Sequence, residues 1–417
     1  MSQSYTTSVL KARTYDSENG FGAGSRVRPL FVSTYVPTRC GLAMYTKDLA
    51  DAVDEARDDA VSSVLAVSNG REQLDYSNRV MHTLDADEPE ACGEAAEFCN
   101  ESDCSVVCLQ HDYSVYPGKW GESVLGFAEN CEKPLVTTLH NLKLRPEPTQ
   151  RYIVRELVAH SDAVVVPSSS GRQILDRLYG LGGSHIHYIP HGVHLTGSAS
   201  PDLRSKMDLE GRTVLMTHGL LGRDKGIEYM IDGMTRIKEV LPRSLYVVAG
   251  RTHPKLPAPD IYRKSLREWA GTQGVAENVL FIDRFLSMRE LMAYLACTDV
   301  YVSPCPVRDQ MVSGSLAYAL GAGKAVVSTP YTYAREMWQR GVLMLGNFRD
   351  GPSLAEHVLR LIHTPRLKST LERRARSFAQ TMSWEKVGQA YSHLFDSLSE
   401  VSADQFPANE ERATVSV

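Results

Sequence analysis

No apolar run in the chain reaches about 18 residues, the length a membrane-spanning helix needs. The polar stretch before Arg28 also lacks the hydrophobic segment of a secretory signal. A cytoplasmic protein is expected, touching a membrane surface at most. Basic excess is missing too. The 45 Lys and Arg face 50 Asp and Glu, a formal net charge of −5, so a broad nucleic-acid-binding face is not expected. The eight cysteines, Cys40, Cys92, Cys99, Cys104, Cys108, Cys131, Cys297 and Cys305, form no CxxC pair. Reduced structural thiols are expected, with a metal or redox site near Cys99, Cys104 and Cys108 as the alternative. The phosphate-loop pattern GxxxxGK[ST] is absent.

What the chain does have is a globular composition, with 43% hydrophobic and 23% charged residues over 417 positions. That length suits two domains of about 150–200 residues. Short β-branched runs alternate with helical periodicity. Strands are expected over 28–35, 61–67, 105–110, 134–139, 163–167 and 185–189. After a linker-like break over 194–201 the alternation restarts, with strands over 213–218, 244–249, 279–282, 300–303 and 325–328. Such alternation means parallel strands with both faces covered. The expected plan is a polar disordered arm over 1–27, a first doubly wound α/β domain over 28–197, and a second over 205–380. A last helix over 381–401 and a disordered polar tail over 402–417 complete it. Ligands in such sheets sit beyond the carboxyl ends of the strands, at the switch point. The functional residues should therefore lie just after strands, in a cleft between the two domains.

At the first strand end Gly41 opens a helix and leaves backbone N–H groups free for a ligand, although this turn is not GxGxxG. His111 and His140 each end an apolar strand, and His191 follows another. Asp112 and Lys119 occupy the loop after His111. In the second half, His218-Gly219-Leu220-Leu221-Gly222-Arg223-Asp224-Lys225-Gly226 joins a strand to a helix. Glycines, Arg223 and Lys225 in that place suit a phosphate or diphosphate. Arg251 and Arg284 follow the next two strands. The segment from Pro304 to Tyr318 carries a proline-rich loop and a helix start. Ser313 can cap that helix while the Gly314 and Ser315 amides stay free for an anion.

These segments together resemble the retaining GT-B glycosyltransferases of family 4. Gly219 to Gly226 is similar to the family's Gly-Arg-Leu-x-x-x-Lys-Gly. Leu291 to Pro304 resembles the helix and strand before its donor loop, and Ala319 to Thr329 resembles its "ALACGKPVVAT" segment. Arg39 to Ala43 is similar to the first glycine-rich turn. His140 matches the cleft histidine, and Ile189 to Val193 resembles "IPNGVD" before the interdomain linker. The resemblance runs from about residue 28 to 400. It implies two tandem Rossmann-like domains facing a cleft, no metal or other cofactor, a nucleotide-sugar donor on the second domain and an acceptor on the first. It also implies that the last helix, Trp384 to Val401, crosses back to the first domain. Two positions depart from the pattern. The family arginine falls on Leu220, with Arg223 three residues on. The family's Glu-x7-Glu pair falls on Gln310 and Tyr318.

The expected activity is transfer of a hexosyl group, glucosyl or mannosyl, to a hydroxyl acceptor with retention. The acceptor is a saccharide, a small metabolite or a lipid-linked saccharide. His140, Lys225 and Gln310 are the candidate catalytic residues. Gly41, Arg223, Arg251, Ser313, Gly314, Ser315 and Tyr318 are the donor-binding candidates, and His111 and Asp112 face the acceptor. A phosphorylase using sugar 1-phosphate and a silent nucleotide-sugar or glycan binder are the alternatives. A sugar-nucleotide epimerase is a more remote one.

Overall fold

The computed structural model describes residues 27–57, 61–68, 74–196, 201–252 and 260–404. The arm expected over 1–27 lies outside them except for Val27. So does the tail after Asp404, and so do residues 197–200 of the linker. The first sheet has seven parallel strands, β1 (Pro29–Ser33), β2 (Ser63–Ser68), β3 (Val80–Asp85), β4 (Val106–His111), β5 (Leu135–Leu139), β6 (Ala163–Val166) and β7 (Ile186–Tyr188). Their order is β3-β2-β1-β4-β5-β6-β7. Helices α1 (Gly41–Glu55), α2 (Ala91–Glu101), α3 (Val124–Asn130), α4 (Pro148–His160) and α5 (Ser169–Ile174) accompany it. The second sheet has six strands, β8 (Thr213–His218), β9 (Ser244–Ala249), β10 (Val279–Ile282), β11 (Val300–Ser303), β12 (Ala325–Ser328) and β13 (Met344–Leu345). They run in the order β10-β9-β8-β11-β12-β13. Its helices are α6 (Pro201–Lys206), α7 (Ile227–Val240), α8 (Asp260–Thr272), α9 (Met288–Cys297), α10 (Gly314–Gly321), α11 (Thr332–Gln339), α12 (Gly351–His363), α13 (Pro365–Ala379) and α14 (Trp384–Asp404).

The central strands read as unbroken apolar runs because helices cover both faces. Every residue of β1, β4, β5, β9 and β11 is buried. Edge strand β3 was not expected from the sequence. Only Leu84 in it is buried, so it has no apolar run to betray it. Helix α2 was missed as well. Its buried residues are Cys92, Ala95, Ala96 and Cys99, a helical stripe of small side chains that replaces the usual Leu and Ile. Helix α11 and the two-residue β13 were also not expected. Helix α14 begins at Trp384 and runs to Asp404, three residues into the stretch expected as tail.

The strand order reverses between β1 and β4 in one sheet and between β8 and β11 in the other. The loops after these four strands therefore face the ligand side of each sheet. Two chain crossings join the halves side by side. Val193 pairs with Ser383 as a parallel bridge, and the Val193 N–H donates to the Met382 carbonyl at 2.8 Å. Helix α14 then lies on α1 of the first half. The Tyr391 hydroxyl meets Thr138 Oγ1 at 2.9 Å, the Phe395 ring stands 6.2 Å from that of Phe31, and Arg57 pairs with Asp396 at 2.8 Å. Farther out, the buried carboxylate of Glu336 in α11 accepts from the N–H groups of Ser169 and Ser170, at 3.2 and 3.0 Å. Its charge thus sits at the positive end of α5. Met311 packs into the core of the first half, where a Cβ on Gly171 would lie 2.6 Å from its sulfur.

Candidate functional site

On the first half, α1 starts at Gly41 behind Cys40, whose Sγ accepts from the Ala43 N–H at 3.3 Å. A Cβ at Gly41 would meet no atom within 4 Å among the described residues, so the helix start faces open space. Strands β4 and β5 end side by side, and the His140 N–H donates to the His111 carbonyl at 3.0 Å. His140 Nε2 lies 2.8 Å from Gln110 Oε1. With that nitrogen donating, Nδ1 of the neutral ring is left as an acceptor. The edge of Tyr45 supports the ring at 4.7 Å. His111 is fully buried against Tyr113, and neither ring nitrogen finds a partner among the described residues. Lys119 is turned to Glu147 at 3.5 Å.

On the second half, Gly219 (φ +127) follows β8 and Gly250 (φ +141) follows β9. A Cβ on Gly250 would lie 1.9 Å from the Gly219 carbonyl oxygen, so glycine is what lets these two loops touch. Lys225 folds back over Gly219, with Nζ 3.9 Å from Asp224 Oδ2. The Arg223 guanidinium lies 5.8 Å from the Tyr262 ring centre. Arg251 is exposed, and Arg284 is held by Glu290 at 2.7 Å. Ser313 caps α10, its Oγ accepting from the Leu316 N–H at 3.3 Å and meeting Ser315 Oγ at 3.3 Å. Gly314 lies against His191, where a Cβ would be 3.0 Å from Nε2.

Between the walls lies a cavity of about 250 Å³, lined by Asp112, His140, Asn141, Lys143, Asp224, Val307 and the segment from Asp309 to Val312. It brings together Asp112, His140 and Gln310 of the expected residues. The other expected residues, His111, Lys225, Gly41, Arg223, Arg251, Ser313, Gly314, Ser315 and Tyr318, do not line it. The Tyr318 hydroxyl donates to buried Asp48 of α1 at 3.0 Å, and His194 Nε2 meets the same oxygen at 2.9 Å. Position 318 is thereby tied into a contact between the halves. Gln310 carries an amide already engaged by its own loop. The Cys305 thiol donates to Oε1 at 2.9 Å, and Nε2 donates to the Val312 carbonyl at 3.2 Å. Four polar lining residues escaped the sequence reading, namely Asn141, Lys143, Asp224 and Asp309. The first two follow β5 by only a few residues and Asp309 precedes Gln310, so proximity to a strand end was the signal available.

Burial pushes His140 down to about 3 and His218 down to about 3. It brings His191 and His111 to about 4, with Asp112 partly opposing the shift at His111. Burial works to raise the Asp112 carboxyl. Hydrogen bonds from the Ser114 hydroxyl and N–H, electrostatic attraction to the His111 ring and a hydrogen bond from Asn141 outweigh it and leave the group below its usual range. These four rings are neutral in the folded chain near pH 7. The unfolded chain takes up their protons first as pH falls below about 6.5, so their share of stability is present above that pH and is lost toward pH 4–3. The thermal midpoint should fall steeply between pH 6.5 and 4. A flat midpoint over that range would contradict the burial of these rings. All eight cysteines are free, and burial raises the thiols of Cys92 to about 12 and Cys305 to about 11. Among the described residues no group of three His, Cys, Asp or Glu side chains is placed to hold a metal, and no helix is long and apolar enough to cross a membrane.

Residues 94–196 match the family described as Glycosyltransferase Family 4, and residues 212–364 match Glycosyl transferases group 1. An uncharacterized glycosyltransferase of Methanocaldococcus jannaschii is 23% identical over 206 residues, 48% of this chain and 49% of that protein. The match thus spans about half the length of that curated relative. The crystal structure of Anabaena HepE in complex with UDP superposes with a TM-score of 0.71 at 18% identity, covering 89% of this chain and all of that one. Sucrose-phosphate synthase from Thermosynechococcus elongatus gives 0.74 at 15% identity, covering 90% of this chain and all of that one. The architecture is the GT-B fold.

Proposed function

We propose that this chain, whose residues 94–196 and 212–364 match glycosyltransferase family models, moves a hexosyl group, glucosyl or mannosyl, from a nucleotide-sugar donor to a hydroxyl acceptor with retention at the anomeric carbon. The observation that carries this reading is the second wall of the cleft. There Lys225 and Arg223, in the loop after β8, accompany the helix start at Ser313 to Ser315 after β11, on the two sides of the switch point. Such a wall suits a diphosphate. HepE has been solved with UDP and with UDP-glucose, and an Escherichia coli trehalose-6-phosphate protein with UDP-2-fluoro glucose. Those complexes support a nucleotide sugar as the donor here.

In the proposed reaction the acceptor oxygen attacks the anomeric carbon from the face that the diphosphate leaves. The bond from that carbon to phosphate oxygen breaks, and the departing phosphate takes the acceptor's proton. Lys225, Arg223 and the Gly314 and Ser315 amides meet the charge that grows on the diphosphate. Gly41 and Arg251 border the same nucleotide path. His140, neutral and anchored by Gln110, presents Nδ1 to the donor sugar. Gln310 keeps one N–H and one lone pair beyond its loop contacts for a sugar hydroxyl. Asp112 is the acceptor-side carboxylate, backed by His111. The reading calls on no metal cofactor.

The engagement of Tyr318 with Asp48 favours a second reading. With no side chain at 318 free for a ribose, a phosphorylase using sugar 1-phosphate fits the same cleft. A thermal-shift screen separates the two, because a ligand that binds only the native state raises the midpoint. UDP, GDP and ADP, their glucose and mannose conjugates, and glucose and mannose 1-phosphate are the probes. A rise with one nucleotide and its sugar supports the transferase. A rise with sugar phosphate alone supports the phosphorylase.

A further inference from the structure

We propose that the basic face of α13 in the second half is a docking surface for an anionic lipid bilayer, with Trp338 as its anchor among the headgroups. Charge in this chain is unevenly placed. Residues 360–376 carry six Arg and Lys against one Glu, a surplus of +5 in a chain whose formal net charge is −5. The remainder therefore holds −10. Helix α13 buries Leu371, Ala375 and Ala379. Arg366, Arg373 and Arg376, spaced by seven and three residues, stand on the opposite side and are exposed, as is Arg374. The one acid of the stretch, Glu372, is taken by Lys368 at 2.6 Å. Arg373 reaches only the Thr370 hydroxyl, and Arg366, Arg373 and Arg374 have no acidic partner among the described residues. Helix stability does not account for these charges. Arg366 and Lys368 lie in the opening turn of α13, where positive charge opposes the helix dipole and no acid offsets it. Arg373 and Arg376 are like charges one turn apart, which weakens a helix.

What lies beside the arginines favours lipid over other polyanions. Arg374 Nη1 donates to the Gly341 carbonyl at 3.5 Å, and the Gly341 N–H donates to the Trp338 carbonyl at 2.8 Å. The Arg340 guanidinium lies 4.9 Å from the Phe378 ring centre. The end of α11 thus abuts α13 and brings Trp338 to the rim of the basic face. Trp338 is 54% exposed. A large ring left in water beside arginines suits a bilayer interface, where the indole sits at headgroup level and guanidinium groups meet lipid phosphates. A long nucleic acid would run from the patch onto a remainder that is acidic. No helix among the described residues can cross a membrane, so the contact is peripheral. It does not depend on which donor the cleft holds.

The test sediments the full chain with phosphatidylcholine vesicles and with vesicles containing about one-third phosphatidylglycerol, at about 0.05 M and 0.5 M salt. Wild type should bind the anionic vesicles alone, and high salt should release it. Each arginine close to an anionic surface contributes about five-fold to partitioning. Arg366→Gln combined with Arg373→Gln should therefore weaken binding about 25-fold. Arg366→Lys combined with Arg373→Lys keeps both charges and should stay within about two-fold of wild type. The chain has four tryptophans, so emission is compared between wild type and Trp338→Phe. A blue shift on anionic vesicles, present in wild type and lost in Trp338→Phe, supports the anchor, and its absence in wild type removes that role. Wild type that sediments with neither vesicle, or equally with both, overturns the proposal without any substitution. A double Gln variant that binds as wild type does so as well. Tighter binding to a single-stranded oligonucleotide of about 20 bases than to the anionic vesicles assigns the face to nucleic acid and overturns it too.

Discussion

Replacing Lys225 with alanine should lower turnover by about 10²–10³-fold, the scale of losing one preorganised charge at a developing anion. The loss should fall on kcat more than on donor KM, because the diphosphate gains charge as the sugar departs. Stability should hardly change. Lys225 is about one-fifth exposed, and its one ion pair among the described residues, with Asp224 at 3.9 Å, is loose. Such pairs contribute about 1 kcal/mol at most. Lys225→Arg keeps the charge and should recover part of the rate. The checks are steady-state kinetics and a thermal midpoint on the same preparations. A folded Lys225→Ala protein with unchanged turnover would remove Lys225 from the proposed reaction.

Gly388→Ala is expected to destabilise the protein by about 3 kcal/mol or more, although it adds one methyl group to a helix. Helix α14 crosses α1 so closely that a Cβ at 388 would lie 2.1 Å from the Ala52 carbonyl oxygen and 2.4 Å from its carbon. Both are backbone atoms, so no side-chain rotation relieves the clash and the helices must part. That movement would loosen Tyr391 from Thr138, Phe395 from Phe31 and Asp396 from Arg57. Gly271→Ala in α8 is the control. Its added Cβ meets nothing within 4 Å among the described residues, and a helical glycine replaced by alanine gains about 0.5–1 kcal/mol. Urea unfolding compares the pair, and proteolysis near residue 384 reports release of α14. Equal, harmless outcomes at both glycines would contradict the close crossing.

The amino-acid sequence by itself determined the elements whose signals are local. Strands β8, β9, β11 and β12 have the expected bounds, because a buried parallel strand reads as an apolar run, and β10, an edge strand with no buried residue, is still the apolar run Val-Leu-Phe-Ile. The loops after β8 and β11 were legible for the same reason, since a strand end followed by Gly, Lys or Ser and a helix marks an anion-suited turn. Strand β3 and helix α2 were not legible, one being an exposed edge and the other packing through Ala and Cys. What the tertiary structure decided are the meetings between distant segments. Tyr318 reaches Asp48 across 270 positions, Ser170 reaches Glu336 across 166, and Lys143 faces Asp309 from the other half. Periodicity reports which face of an element is buried, and it carries nothing about which partner covers that face. The register of one half on the other is set by side-chain packing around the two crossings at Val193 and Ser383. A pattern read along the chain could therefore put His140 and Lys225 just after strands but could not pair Lys143 with Asp309.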